Sequence, residues 1–105
     1  MIPRGTLRNS IHRIAGESEV RIAYAATLRA AGDDTAALGQ YRRALALAEQ
    51  VRARYEQANA LRGLADTLER TDRRAAGEYR RRARDLFEEL GLPEKDEFPE
   101  PVLAG

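Results

Sequence analysis

Residues 20–51 and 55–92 follow nearly the same plan, and this internal repeat constrains the fold more than anything else in the chain. Ala25, Leu28, Ala37, Ala44 and Leu45 in the first stretch correspond to Ala65, Leu68, Ala76, Ala83 and Arg84 in the second. The offset is 40 residues over the first half of each stretch and 39 over the second, so the first copy has one more residue around its turn. Leu61, Leu64, Ala65 and Leu68 fall on one helical face, and Ala76, Tyr79, Ala83, Leu86 and Leu90 on another. Spacings of three and four belong to helices, whereas a strand would alternate. Each copy therefore reads as two amphipathic helices joined by a tight turn. Small residues recur where helices must approach closely. One such hairpin cannot bury both its faces, so units of this kind stack.

Punctuation residues set the boundaries. A short leading helix is expected over residues 6–15, with Leu7, Ile11, Ile14 and Ala15 on one face, Gly16 as its stop and Ser18 as the next cap. A helix over 18–31 carries Val20, Ala23, Tyr24, Leu28 and Ala31 and closes at a left-handed Gly32. Asp33 or Asp34 caps the following helix, which runs to about Ala53 with a break at Arg54-Tyr55. Helices over 56–70 and 73–90 follow, separated by a Thr71-Asp72 cap, and Gly91-Leu92-Pro93 ends the last. The expected fold is all-α, about five helices in stacked antiparallel hairpins. Its parts are a leading helix over 1–17, repeats over 18–54 and 55–92, and a tail over 93–105 that Pro99 and Pro101 keep extended or disordered.

On these residues the chain resembles the tetratricopeptide repeat family. That family places a large residue, a small one, then a large one three further along its first helix; Tyr24, Ala25 and Leu28 match, as do Leu64, Ala65 and Leu68. Its second helix has a small residue, an aromatic four later and a small one three after that. Ala37, Tyr41 and Ala44 match; in the second copy Ala76 and Ala83 match, but Arg80 holds the aromatic position and Tyr79 sits one residue early. The family's usual tryptophan is absent. The run ALRGLADTLERT…RRRARDLFEELGLPE is also similar to the closing repeat of AfsR-like and large LuxR-like bacterial transcriptional regulators. The resemblance implies a helical solenoid whose concave side, built by first helices, holds a protein or peptide. By register that side comprises Glu19, Ile22, Ala26 and Arg29 in one repeat and Asn59, Arg62, Asp66 and Glu69 in the other. Spacings of four between Arg62, Asp66 and Arg70 also allow these charges to pair among themselves.

The formal net charge is +1, so no global field draws nucleic acid or an anionic membrane. Arg70, Arg73, Arg74, Arg80, Arg81, Arg82 and Arg84 form a basic run, but a helix spreads them around its axis and Asp85, Glu88 and Glu89 follow at once. With no cysteine and one histidine, His12, thiolate or multi-histidine metal sites and a Ser-His-Asp arrangement have no basis. No apolar run approaches a membrane span. Tyr24, Tyr41 and Tyr79 lie on apolar faces and are expected in the core. The expectation is a cytoplasmic, non-catalytic module without cofactors that binds a protein or peptide. Self-association through Leu7, Ile11 and Ile14 would cover the first helix, and Phe98 and Val102 could cover the last helix or fill the groove. The competing class is a small helical enzyme or small-molecule sensor with a pocket between the repeats, lined by Tyr24 and Tyr41.

Overall fold

The structure is a computed structural model that describes residues 4–92, with side chains from Leu7 onward. Four helices occur among the described residues: α1 (Arg4–Ala30), α2 (Asp34–Gln50), α3 (Arg54–Leu68) and α4 (Arg73–Glu89). No strand occurs among them. The tail expected over 93–105, with Phe98 and Val102, lies outside the described residues.

Local chemistry accounts for each boundary. Asp33 and Asp72 both act as N-caps, each side chain accepting from the backbone N–H three residues on, at Ala36 and Ala75, over 3.1 Å. The turns before them close differently. In the first, Asp33 N–H donates to the Leu28 carbonyl and Gly32 N–H to that of Arg29, with Gly32 at φ 89°. In the second, Asp72 N–H donates to the Leu68 carbonyl one residue closer in sequence, and no left-handed residue intervenes. Leu28 corresponds to Leu68 and Asp33 to Asp72, so the extra residue of the first copy lies within this turn. The same left-handed closure ends α4, where Gly91 has φ 70° and Leu92 N–H donates to the Phe87 carbonyl.

Several sequence expectations need correction. Four helices replace about five, because the predicted leading helix and its successor are one, α1. Gly16 does not stop it: a mid-helix glycine costs only about 1 kcal/mol, which the surrounding helix absorbs. Ser18 is not a cap; it is fully buried, and its hydroxyl donates to the Ala44 carbonyl of α2 over 2.9 Å. The boundary drawn between residues 17 and 18 thus falls inside a continuous helix. The break predicted at Arg54-Tyr55 starts three residues earlier, at Val51, Arg52 and Ala53, and Arg54 and Tyr55 open α3. Arg52 there adopts φ 55°, a conformation that composition does not advertise. Tyr24 is exposed rather than in the core, while Tyr41 is buried as expected and Tyr79 is partly buried against all three apolar clusters.

The helices contact one another as α1 with α2, α2 with α3, α3 with α4 and, more lightly, α1 with α3. α3 is the central element. Ala58, Leu61, Ala65 and Leu68 face α4, where they meet Ala76, Ala83 and Phe87. Its other side meets α2: Leu64 joins a cluster with Ala25, Ala37 and Tyr41. The Tyr41 ring lies so close to Gly63 that a Cβ there would fall 2.1 Å from a ring carbon. Gly63 thus permits a close helix contact that a larger residue would forbid. Burial of Leu61 and Leu64 stabilises by roughly 1.5–3 kcal/mol each. The buried hydroxyl of Thr67 donates to the Gly63 carbonyl, so no buried side-chain polar atom is unpaired among the described residues.

Candidate functional site: a groove between α1 and α3

Residues three and four apart share a helix face. Ile22, Ala26 and Arg29 therefore line one side of α1, and Asn59, Arg62 and Asp66 one side of α3. Because these helices touch, the two rows enclose a groove of about 240 Å³, whose remaining lining is Tyr41 and Gly63. A second depression of about 550 Å³ adjoins it, sharing Arg29 and Asp66 and adding Gly32, Asp34, Thr67, Glu69, Arg70 and Arg80. Of the eight residues placed on the concave side by register, six line the groove and Glu69 the adjoining depression. Glu19 is exposed and lines neither.

Two residues of this site lie outside the rows that register assigns to the concave side. Tyr41 belongs to α2 yet forms part of the groove, because Gly63 lets its ring reach between the neighbouring helices. Arg80, standing where an aromatic was expected, points across to α3 instead. It donates to Glu69 over 2.7 Å and to Asp66 over 3.3 Å. Burial lowers the proton affinity of its guanidinium, but hydrogen bonds to Glu69 and Asp66 and their negative charges outweigh that, so its pKa is raised above the ordinary arginine value. The only sequence signal was the mismatch at position 80 itself. Asp66 is thus engaged from α4, while Arg62, four residues before it, stacks near the Phe87 ring with 5.9 Å from guanidinium carbon to centroid.

The site combines apolar surface from Ile22, Ala26 and Tyr41 with donors from Asn59, Arg29 and Arg62 and an acceptor from Asp66. Such a mixture can hydrogen-bond a main chain while seating an apolar side chain. Tyr24 does not line it. His12 is exposed, and no group of metal-ligating side chains occurs among the described residues. The arginine run disperses: Arg80 meets α3, Arg82 approaches Glu49 of α2 at 3.6 Å, and Arg73, Arg74, Arg81 and Arg84 are exposed. At the far end of α3, Arg54 pairs with Glu89. Leu7 and Ile11 are exposed and Ile14 is half-buried. No described helix is long and apolar enough to cross a membrane. No protein-family model, curated protein or solved structure matches the chain.

Proposed function

We propose that the chain is a non-catalytic helical-repeat module of the tetratricopeptide kind, and that it binds an extended or helical peptide segment of a protein partner along the α1–α3 groove. The observation that carries this reading is the convergence of Ile22, Ala26 and Arg29 with Asn59, Arg62 and Asp66 on one open groove floored by Tyr41. The repeat reading draws support from matched burial: Ala25 with Ala65, Ala37 with Ala76 and Ala44 with Ala83 are all in the core. It also draws support from the paired Asp33 and Asp72 caps. The likeness to the closing repeats of large bacterial regulators suggests a docking role inside a transcription-regulating assembly, with the chemistry left to other domains. The small-molecule reading has less behind it, since Tyr24 does not line the groove that Tyr41 floors.

Panning a random peptide library against the whole chain tests the proposal. The expected result is an enriched peptide motif that the wild-type chain retains and the Arg62→Glu, Asp66→Arg double variant loses, with helical circular dichroism preserved. Enrichment that survives the charge exchange, or no enrichment at all, would remove the groove as the binding site.

A further inference from the structure

The tail and the rest of the chain carry opposite charge. Residues 93–105 hold Glu94, Asp96, Glu97 and Glu100 against Lys95, a net of −3 in a chain of +1, which leaves +4 on residues 1–92. Part of that excess lines the α1–α3 groove and the depression beside it. Arg80 takes up Asp66 and Glu69, so Arg29, Arg62 and Arg70 outweigh Asp34 along the rest of the lining. The tail also departs from the described helices at one end of the groove. Glu89 pairs with Arg54, and the Phe87 ring meets Tyr55 edge-on, which sets the end of α4 beside the start of α3. Leu92 N–H donates to the Phe87 carbonyl, and Arg62 both approaches the Phe87 ring and lines the groove.

We propose that residues 94–102 dock in the α1–α3 groove of their own chain, so that an incoming peptide must displace them; this rests on the reading of that groove as a peptide site. Order along the chain favours this occupant. From the end of α4 the tail follows the groove in the direction of α3, from Arg62 past Tyr41 to Arg29 and Arg70. Its acidic run comes first, then Phe98, then Glu100. Asp96 and Glu97 thus reach Arg62, Phe98 enters the seat of Ile22, Ala26 and Tyr41, and Glu100 reaches Arg29 and Arg70. Spacing agrees. Arg62 and Arg70 stand about 12 Å apart along α3, at about 1.5 Å per residue. Glu97 and Glu100 stand about 9 Å apart where Pro99 and Pro101 keep the segment extended, at about 3.1 Å per residue, and the arginine side chains span the difference. Neither proline carries an N–H to be left unpaired in the groove.

Reach and concentration favour the chain's own tail over that of a second copy. The ten residues from 93 to 102 extend over about 33 Å, against about 15 Å of α3 between Asn59 and Glu69. A short tether holds the segment at an effective concentration of roughly 1 mM, which a second copy's tail matches only in about millimolar protein. At that concentration a tail whose own dissociation constant is about 0.25 mM weakens an incoming peptide about fivefold.

A fluorescein-labelled peptide with the sequence of residues 93–105, titrated by anisotropy, tests the competition in the full chain. It should bind the Phe98→Ala chain about fivefold tighter than the wild type, whose own tail competes. Adding Arg62→Glu to the Phe98→Ala chain should weaken the peptide by about tenfold. Equal affinity for the wild-type and Phe98→Ala chains would overturn the proposal, as would no binding to the Phe98→Ala chain at about 1 mM or binding indifferent to Arg62→Glu. Location is read separately. The chain has no cysteine, so Val102→Cys takes a single nitroxide label. Amide signals of Arg29, Gly32 and Thr67, at the groove end remote from α4's last turn, should broaden more than that of Tyr55. The reverse order would overturn the proposal. Broadening seen only when labelled chain is mixed with unlabelled, nitrogen-15 chain would also overturn it, by assigning the groove to a second copy's tail. A library peptide lost in the Arg62→Glu, Asp66→Arg variant, beside equal affinities here, would remove the tail and leave the groove as a peptide site.

Discussion

Tyr41 on α2 and Arg80 on α4 occupy corresponding places, yet one is buried and the other reaches outward to two carboxylates. The helices around them are alike: the same aspartate cap, the same small residues at Ala37 and Ala44 or at Ala76 and Ala83. What differs is the next element. α2 has α3 beyond it, and Gly63 opens a seat for an aromatic ring. α4 has no such neighbour among the described residues. There an aromatic would lie in water, and an arginine can instead bury its stem and tie α4 back to α3 through Asp66 and Glu69. A single position thus distinguishes an inner helix from an outer one.

Truncation separates the two positions most visibly. Tyr41→Ala should destabilise the chain by about 3–5 kcal/mol, because a large ring leaves a cavity between three helices. Arg80→Ala, at the matching place, should cost no more than about 1 kcal/mol, since its partners are partly solvated and such pairs contribute little. Denaturant unfolding of both variants checks this, and equal losses would erase the distinction between inner and outer helices. Next in size, Gly63→Ala should cost about 2–3 kcal/mol by driving a Cβ into the ring, whereas alanine at the open Gly16 should be tolerated or slightly stabilising. A Gly63→Ala melting temperature equal to that of the wild type would mean the ring is not held there.

Overpacking probes the other shared feature. Ala44→Leu and Ala83→Leu should each cost about 1–3 kcal/mol, because both side chains are fully buried at close helix contacts. If only one of the two destabilises, the hairpins are not packed alike. The smallest effect concerns the turns. Arg52 holds the left-handed conformation that glycine supplies at positions 32 and 91. Arg52→Gly should therefore raise stability by about 0.5–1 kcal/mol, which thermal unfolding can resolve.

Much of the fold was legible because its signals are local. Asp33, Gly32, Asp72 and Gly91 state their roles through side-chain reach or permitted φ, and α2 and α4 begin as those residues require. The misreadings were non-local. Gly16 is a stop only by its neighbours in sequence, and the helix continues through it; Ser18 is held by the Ala44 carbonyl, 26 residues away. Arg52 bears a left-handed conformation that glycine announces and arginine does not. Tyr24 sits on an apolar stripe that is real but uncovered, and periodicity cannot say whether a stripe has a partner. For the groove, helical register brought Ile22, Ala26 and Arg29 opposite Asn59, Arg62 and Asp66. The contributions of Tyr41 and Arg80 depended on how α2 and α4 lie against α3, which spacing alone does not encode.

α2 is locked to α3 by a ring seated on a glycine, a contact that α4 lacks among the described residues. A double-mutant cycle on Tyr41→Ala and Gly63→Ala measures that contact directly. Strong coupling is expected: once the ring is gone, Gly63→Ala should lose its penalty, for an interaction energy of about 1.5–3 kcal/mol. Penalties that add to within about 0.5 kcal/mol would show that the two residues do not meet and that the ring does not lock α2 to α3.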